Sequence, residues 1–217
     1  MIRAGVIGWP IAHSLSPQLH GYWLDHYGIT GRYDAIAVDP VQFESTIKDL
    51  ITSGGMAGFN VTIPFKRRIM PLMDDISPRA QAIGAVNTVV VMDAGGLLGD
   101  NTDAHGYIQS LTHQIPDWKN SVKTVAVIGA GGAAQAICYA FMEENIPHIN
   151  IFNRTAQKID DMMAHLAPIK TDSTLYAYDI KMLDSYMESV DLIVNTTPLG
   201  MVGHDDLDID LRACLPN

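Results

Sequence analysis

The segment 123–134, KTVAVIGAGGAA, constrains the fold more than any other stretch of the chain. Residues 122–128 are an apolar, valine-rich run of the kind that forms a buried strand. This run passes without a spacer into Gly129, Ala130, Gly131, Gly132, Ala133 and Ala134, where a helical pattern begins and continues to 145. A G-x-G-x-x-G/A turn between strand and helix is built to hold a pyrophosphate. Its first glycine permits the tight turn and its second lets backbone approach the phosphates, while a small third residue lets the helix pack on the strand. The first turn of the helix adds N–H donors. A tight βα turn without a ligand is the alternative reading.

The end of the following strand, 149–152, indicates which dinucleotide would fit. An NAD site places Asp or Glu there to bind the ribose 2′-hydroxyl. This chain has Asn153, Arg154 and Thr155, with Lys158 one turn later. The arginine fork suits a 2′-phosphate and no carboxylate opposes it, so NADP is the expected cofactor. The plainer reading makes Asn153 a helix cap and Arg154 a solvated surface residue. A later strand, 191–195, runs into Asn195, Thr196, Thr197, Pro198, Leu199, Gly200 and Met201. That loop lies beyond a strand's carboxyl end, where open α/β sheets bind ligands.

Strand-like and helical runs alternate over the whole chain, which indicates α/β architecture with a mainly parallel sheet. In the first half the strands are 2–7, 33–38, 58–62, 88–92 and 97–99, and the helices 17–27, 41–52 and 77–83. A helix over 103–114 leads into a polar break at 115–121, and the domain boundary falls within that helix or the break. The division taken is 1–103 for a substrate-binding and catalytic α/β domain and 104–217 for a Rossmann-like dinucleotide domain. The second half continues with helix 156–166, a weaker strand 174–178, helix 183–189 and an acidic stretch over 204–210.

The 217 residues include 14 Lys+Arg against 24 Asp+Glu, a net charge of −10 that disfavours nucleic acid as a partner. Anionic small molecules then need local positive charge. No apolar run is long enough for a membrane span and no signal-peptide profile opens the chain, so a cytoplasmic protein without membrane attachment is expected. Two cysteines, Cys138 and Cys214, are too few for a disulfide framework. The eight histidines form no metal-ligand motif, so no metal is expected.

Polar residues gather at strand ends in the first half as well. Asn60-Val61-Thr62, like 153–155 and 195–197, matches a glycosylation sequon, but the pattern reads better as cleft lining. Ser14 and Ser16, ahead of Pro17 and a helix, could form a neutral carboxylate site, or Ser16 could simply cap the helix. Lys66 follows a strand and a proline and is a candidate proton donor. Arg67 and Arg68 beside it read as solvated. Asn87 and Asp103 supply an amide and a carboxylate at further strand ends, and Asp103 could equally cap the helix it begins.

Taken in order, GWPIAHSLSP, NVTIPFK, GAVNT, NTDAHG, GAGGAA, NRT and NTTPLGM make the chain resemble the shikimate dehydrogenases over essentially its whole length. The resemblance implies hydride transfer between NADPH and the C3 ketone of 3-dehydroshikimate, giving shikimate, in the route to aromatic amino acids. It implies that Ser14 and Ser16 bind the substrate carboxylate and that Asn60, Thr62, Lys66, Asn87 and Asp103 contact ring hydroxyls, with Lys66 and Asp103 catalytic. It further implies that residues Gly129 to Ala134 hold the pyrophosphate, that Asn153, Arg154, Thr155 and Lys158 surround the 2′-phosphate, and that Thr196, Pro198, Leu199 and Met201 line the nucleotide. A quinate/shikimate dehydrogenase of dual specificity is the nearest rival, and a non-catalytic ligand-sensing module of the same fold is the rival from another class. A monomer or homodimer acting on a small molecule is expected. Members of the family continue past this length with further strands, a tyrosine near the nicotinamide and a glutamine on the substrate. The dinucleotide domain is therefore expected to be incomplete, with a sheet edge and face uncovered.

Overall fold

The computed structural model describes residues 1–52, 55–93, 95–201 and 203–209. Cys214 and the end of the acidic stretch lie outside them. The chain divides into two compact units, Met1–Thr102 and Asp103–Asn217.

The first unit runs β1 (Ile2–Gly8), α1 (Ser16–His26), β2 (Gly31–Ala37), α2 (Phe43–Thr52), β3 (Gly58–Val61), β4 (Asp75–Ile76), α3 (Pro78–Ile83), β5 (Thr88–Val91) and β6 (Leu97–Asp100). Its sheet has the order β2-β1-β3-β5-β6-β4. Parallel pairing holds from β2 through β3, but β5 runs antiparallel to both β3 and β6. The sheet is mainly parallel, as expected, with β5 as its one reversed strand, because β5 and β6 are joined by too short a turn to cross over. One face of the sheet buries Ile7, Phe59, Val61 and Val89 against Phe43 and Ile47 of α2. On the other face, α1 contributes no buried residue.

Local chemistry explains the ends of these elements. Ser77 caps α3, its hydroxyl accepting from Ala80 N at 3.2 Å. The same helix stops at Gly84, whose φ of +70° lets its N–H reach back to the carbonyls of Ala80 and Gln81. The helix expected over 41–52 resolves into a 3-10 turn, Pro40–Gln42, capped by Asp39, followed by α2. Strand β4 has only two residues, too few to show a sequence period.

The second unit comprises α4 (Asp103–Gln114), α5 (Trp118–Ser121), β7 (Thr124–Ile128), α6 (Gly132–Glu143), β8 (His148–Asn153), α7 (Ala156–Leu166), β9 (Thr174–Asp179), α8 (Leu183–Tyr186) and β10 (Leu192–Asn195). All pairings in its sheet, ordered β10-β7-β8-β9, are parallel. The chain thus winds outward from β7 to β9 and then returns to the other side of β7, so the carboxyl end of β7 lies at the topological switch point. Strands β7 and β8 are almost wholly buried, as expected of a parallel sheet covered on both faces.

Helix α6 is buried continuously from Ala134 to Met142. One side packs on the sheet and another on α4, where Tyr107 meets Phe141 edge to face at 5.7 Å. The expected polar break at 115–121 contains α5, whose Trp118 is buried and donates through Nε1 to Thr112 Oγ1 at 3.0 Å. The helix expected over 183–189 is a short α8 flanked by 3-10 turns. The opposite face of the sheet, at Ala126, Ile128 and Phe152, is covered by Leu183 and Met187 and by Leu207 and Ile209 of the acidic stretch. That face, expected to be bare, therefore has a lining. Among the described residues, no helix is long and apolar enough to cross a membrane.

Candidate active site

In the first unit, strand register aligns a row of polar side chains across one sheet face. Asn60 pairs in register with Thr88, and Thr88 with Asp100. The Asn60 amide is held on three sides. Its Oδ1 accepts from Tyr33 Oη at 2.6 Å, while Nδ2 donates to Thr88 Oγ1 at 3.1 Å and to the Asn87 carbonyl at 3.3 Å. Asn87 is buried, and its Oδ1 accepts from Thr88 Oγ1 at 2.8 Å and from Thr102 N at 3.0 Å.

Thr62 and Lys66 lie on the turn that follows β3. Thr62 N donates to Ile7 O, and Phe65 N to Thr62 O. Phe65 is fully buried and stacks on Phe43 with centroids 4.5 Å apart. Its neighbour Lys66 is half-buried, and the Lys66 carbonyl accepts from Val86 N at 2.8 Å. The lysine backbone is thereby fixed between a core anchor and the segment that leads through Asn87 into β5. Arg68 is not merely solvated. It makes a two-pronged pair with Glu44 at 2.8 Å, donates to Pro40 O at 2.6 Å and lies over the Phe43 ring.

Ser16 does not cap α1. The N-cap position is Leu15, and the Ser16 N–H instead donates to Ser14 Oγ at 3.3 Å. The Ser14 hydroxyl thus occupies the helix entrance, with Pro17 inside the first turn. Asp100, at the end of β6, is paired through both oxygens with Arg79 and also accepts from Ser77 Oγ at 2.5 Å. The Arg79 guanidinium, helped by Ser77 and the Asn101 N–H, outweighs burial and holds the Asp100 carboxyl at about 2. Burial pushes the Tyr33 phenol up to about 12. Tyr33 and Thr88 join this network although sequence reading did not single them out, because their bonds to Asn60 span 27 and 28 positions of the chain.

In the second unit, Asp103 is the half-buried first residue of α4. Residues 129–134, 153–158 and 195–201 all begin at the carboxyl ends of adjacent strands, since Ile128 pairs with both Phe152 and Asn195. Gly129 has φ of +115°, and a side chain there would strike Thr196 Oγ1. Gly131 has extended backbone and opens α6 without a side-chain cap, with nothing within 4 Å of where its Cβ would lie. The helix therefore presents first-turn N–H groups across an open glycine surface, and this fits a pyrophosphate.

Asn153 is not a helix cap. Its Nδ2 donates to Thr155 O at 3.0 Å, and Thr155 holds the N-cap position of α7 without a side-chain bond. Arg154, Thr155 and Lys158 are exposed around that helix entrance, where their charge and hydroxyl suit a phosphate. The Thr196 hydroxyl donates to Ile128 O at 2.6 Å, and Asn195 braces its own loop through Thr197 and the Leu199 carbonyl. Pro198, Leu199 and Met201 follow on that loop, with Met201 exposed. Cys138 lies fully buried in α6, where desolvation raises its thiol pKa.

Residues 6–89 match the family described as shikimate dehydrogenase substrate binding domain, and residues 110–200 match shikimate / quinate 5-dehydrogenase. A shikimate dehydrogenase (NADP(+)) of Rhodospirillum rubrum is 42% identical over 99% of this chain, which spans 75% of that protein's length. The crystal structure of shikimate dehydrogenase from Aquifex aeolicus superposes with a TM-score of 0.84 at 32% identity, covering 95% of this chain and 73% of that one. The Thermus thermophilus shikimate 5-dehydrogenase, solved in complex with NADP(H) and shikimate, gives 0.78 at 31% identity over 93% of this chain and 70% of that one. With two units of matching fold and an identity this high over nearly every residue, the chain belongs to the shikimate dehydrogenase family.

Proposed function

We propose that this protein is an NADP-dependent oxidoreductase that interconverts shikimate and 3-dehydroshikimate. The observation that carries the reading is the match of nearly the whole chain to shikimate dehydrogenase (NADP(+)) of R. rubrum. The open surface at Gly131 and the arginine at the end of β8 supply the chemistry for its cofactor.

Residues 1–103 form the substrate-binding and catalytic part, and 104–217 the dinucleotide part. Ser14 and Ser16 bind the substrate carboxylate with hydroxyls and N–H donors. Asn60, with an acceptor lone pair to spare on Oδ1, joins Thr62 and Asn87 in binding ring hydroxyls. NADP, when bound, supplies or takes up the hydride. Gly129 to Ala134 hold its pyrophosphate, Asn153, Arg154, Thr155 and Lys158 bind the 2′-phosphate, and Thr196, Pro198, Leu199 and Met201 border the nucleotide. Reduction of a ketone leaves negative charge on the carbonyl oxygen. The Lys66 ammonium stabilises that charge and delivers a proton to the oxygen. The Asp103 carboxylate accepts a hydrogen bond from a neighbouring ring hydroxyl and so orients the ring. A small-molecule enzyme of this kind needs neither nucleic acid nor a membrane as partner and works in the cytoplasm.

The test is to mix the purified chain with shikimate or quinate and with NADP or NAD, and to follow nicotinamide reduction by absorbance. Shikimate with NADP is expected to be the fastest pair. Comparable quinate turnover would shift the assignment to a dual-specificity enzyme. Binding of both ligands without turnover would favour a sensing module.

A further inference from the structure

Tyr33 lies outside every motif that identifies the family, yet it stands at the head of a hydrogen-bond chain that ends on Asn87. It is on β2, two strands away from Asn60 on β3, with β1 between them. Its register partner on β1 is Ala4, and Ala4 pairs in turn with Gly58. These two small residues leave the sheet surface low enough for the phenol ring to lie across β1 and reach Asn60. His20 of α1 covers the ring from above, stacked at 4.0 Å with planes 2° apart, and is held edge-on by Trp23.

The direction of each hydrogen bond in this chain is determined. The Asn87 carbonyl can only accept, so Asn60 must turn its NH2 toward it, and Asn60 Oδ1 then faces Tyr33. Tyr33 must therefore donate, and its raised pKa keeps the proton in place at neutral pH. The second hydrogen of the Asn60 amide goes to Thr88 Oγ1, so the Thr88 hydroxyl sends its single proton on to Asn87 Oδ1. A backbone N–H from Thr102 meets the same oxygen. That backbone donor alone fixes the sense of the Asn87 amide, as the Asn87 carbonyl fixes that of Asn60.

We propose that Tyr33 is a positioning residue of the substrate site: its hydrogen bond to Oδ1 holds in place the Asn60 amide, whose sense the Asn87 carbonyl sets. This rests on the reading of Asn60 as a shikimate ligand. Without that donor the amide is held from its NH2 side alone, so the tyrosine governs affinity rather than the chemical step.

Tyr33→Phe keeps the ring and its stacking on His20 but removes the donor. In this variant shikimate Kd and KM are expected to rise about tenfold. kcat and NADP affinity should stay within about twofold, as for a loss of uniform binding. Thr88→Val should reproduce the effect and Thr88→Ser should restore it. The Tyr33→Phe/Thr88→Val double variant should be at least as impaired as the poorer single one, because the two side chains hold opposite ends of the same amide.

A second measurement reads this positioning without turnover. The side-chain amide NMR resonances of Asn60 in the ligand-free protein should shift in Tyr33→Phe, while the buried core signals of the second unit stay in place. Unmoved Asn60 resonances, or unchanged shikimate affinity in a variant of wild-type thermal stability, would overturn the proposal. If the wild-type chain binds no shikimate at all, the functional reading fails separately, and the Asn60 resonances alone decide whether Tyr33 positions that amide.

Discussion

The hydroxyl of Thr196 occupies the space that a side chain on Gly129 would need: a Cβ built at Gly129 falls 2.5 Å from Thr196 Oγ1. The contact is enforced from both sides. Thr196 reaches over from β10 to bond the Ile128 carbonyl through both its N–H, at 2.9 Å, and its hydroxyl, at 2.6 Å. Gly129 itself turns with φ of +115° and donates to Phe152 O. The loop after β10 is thereby tied to the phosphate turn after β7.

Gly129 and Gly131 should consequently fail in different ways. Gly129→Ala combines a left-handed backbone with a clash and is expected to lower unfolding free energy by about 1–3 kcal/mol in a urea titration. Gly131 has ordinary extended backbone and open space around it. Gly131→Val should change stability by less than about 1 kcal/mol but weaken NADP binding by at least about tenfold, measured by calorimetry, since it fills the surface a pyrophosphate would touch. Equal stability loss in both variants would refute the distinction.

Much of this dinucleotide half was legible beforehand, for a physical reason. Strands buried on both faces are mostly apolar, so β7 stands out as a near-continuous run and β8 as one interrupted by the buried Asn150, and the turn between β7 and α6 carries its glycines where backbone geometry and ligand approach require them. The first unit was less legible. The antiparallel step at β5 depends on a turn rather than on periodicity. Trp118 sits in a polar segment that gives no hint of its burial. Tyr33 and Asn60 are separated by 27 positions, and which residues meet across an intervening strand depends on register. Ser16 and Asn153 show the converse, since residue types that favour helix caps were found beside the cap position instead.

Arg154 offers a test of cofactor choice. Exposed at the entrance of α7 with Lys158 one turn away, it meets no carboxylate at the end of β8 itself. Removing a charge-assisted contact to a phosphate is worth about 1.5–3 kcal/mol. Arg154→Ala should therefore raise the KM for NADP by about tenfold to a hundredfold and leave the KM for NAD within about twofold, in steady-state assays at fixed shikimate. An unchanged ratio of the two would place the 2′-phosphate elsewhere.

Asp100 and Arg79 make an acid-sensitive tie between β6 and α3. The carboxyl is held at about 2, below its ordinary value, so the native state favours its ionised form. The resulting stability is present at neutral pH and above the unfolded-state pKa of about 4, and it is lost as pH falls from there toward about 2. The Arg79 side chain is 43% exposed, and solvent screening limits the contribution to about 0.5–1 kcal/mol. Asp100→Asn should be less stable than wild type by that amount at pH 7 in chemical denaturation, and the gap should close on acidification. A gap that persists unchanged below about pH 2 would assign it to packing rather than charge.

Lys66 distinguishes catalysis from binding most directly. Its backbone is pinned by the buried Phe65 on one side and by the bond from Val86 N on the other, so truncating the side chain should leave the turn intact. An ammonium that answers charge developing on a carbonyl oxygen interacts far more strongly with the transition state than with the ground state. Lys66→Ala is therefore expected to lower kcat by about 10²–10⁴, with shikimate Kd changing by less than about fivefold. Lys66→Arg should recover little, because the planar guanidinium stays protonated and cannot give up its proton. A rise in KM at constant kcat would reduce the lysine to a binding residue and move the proton source elsewhere in the site.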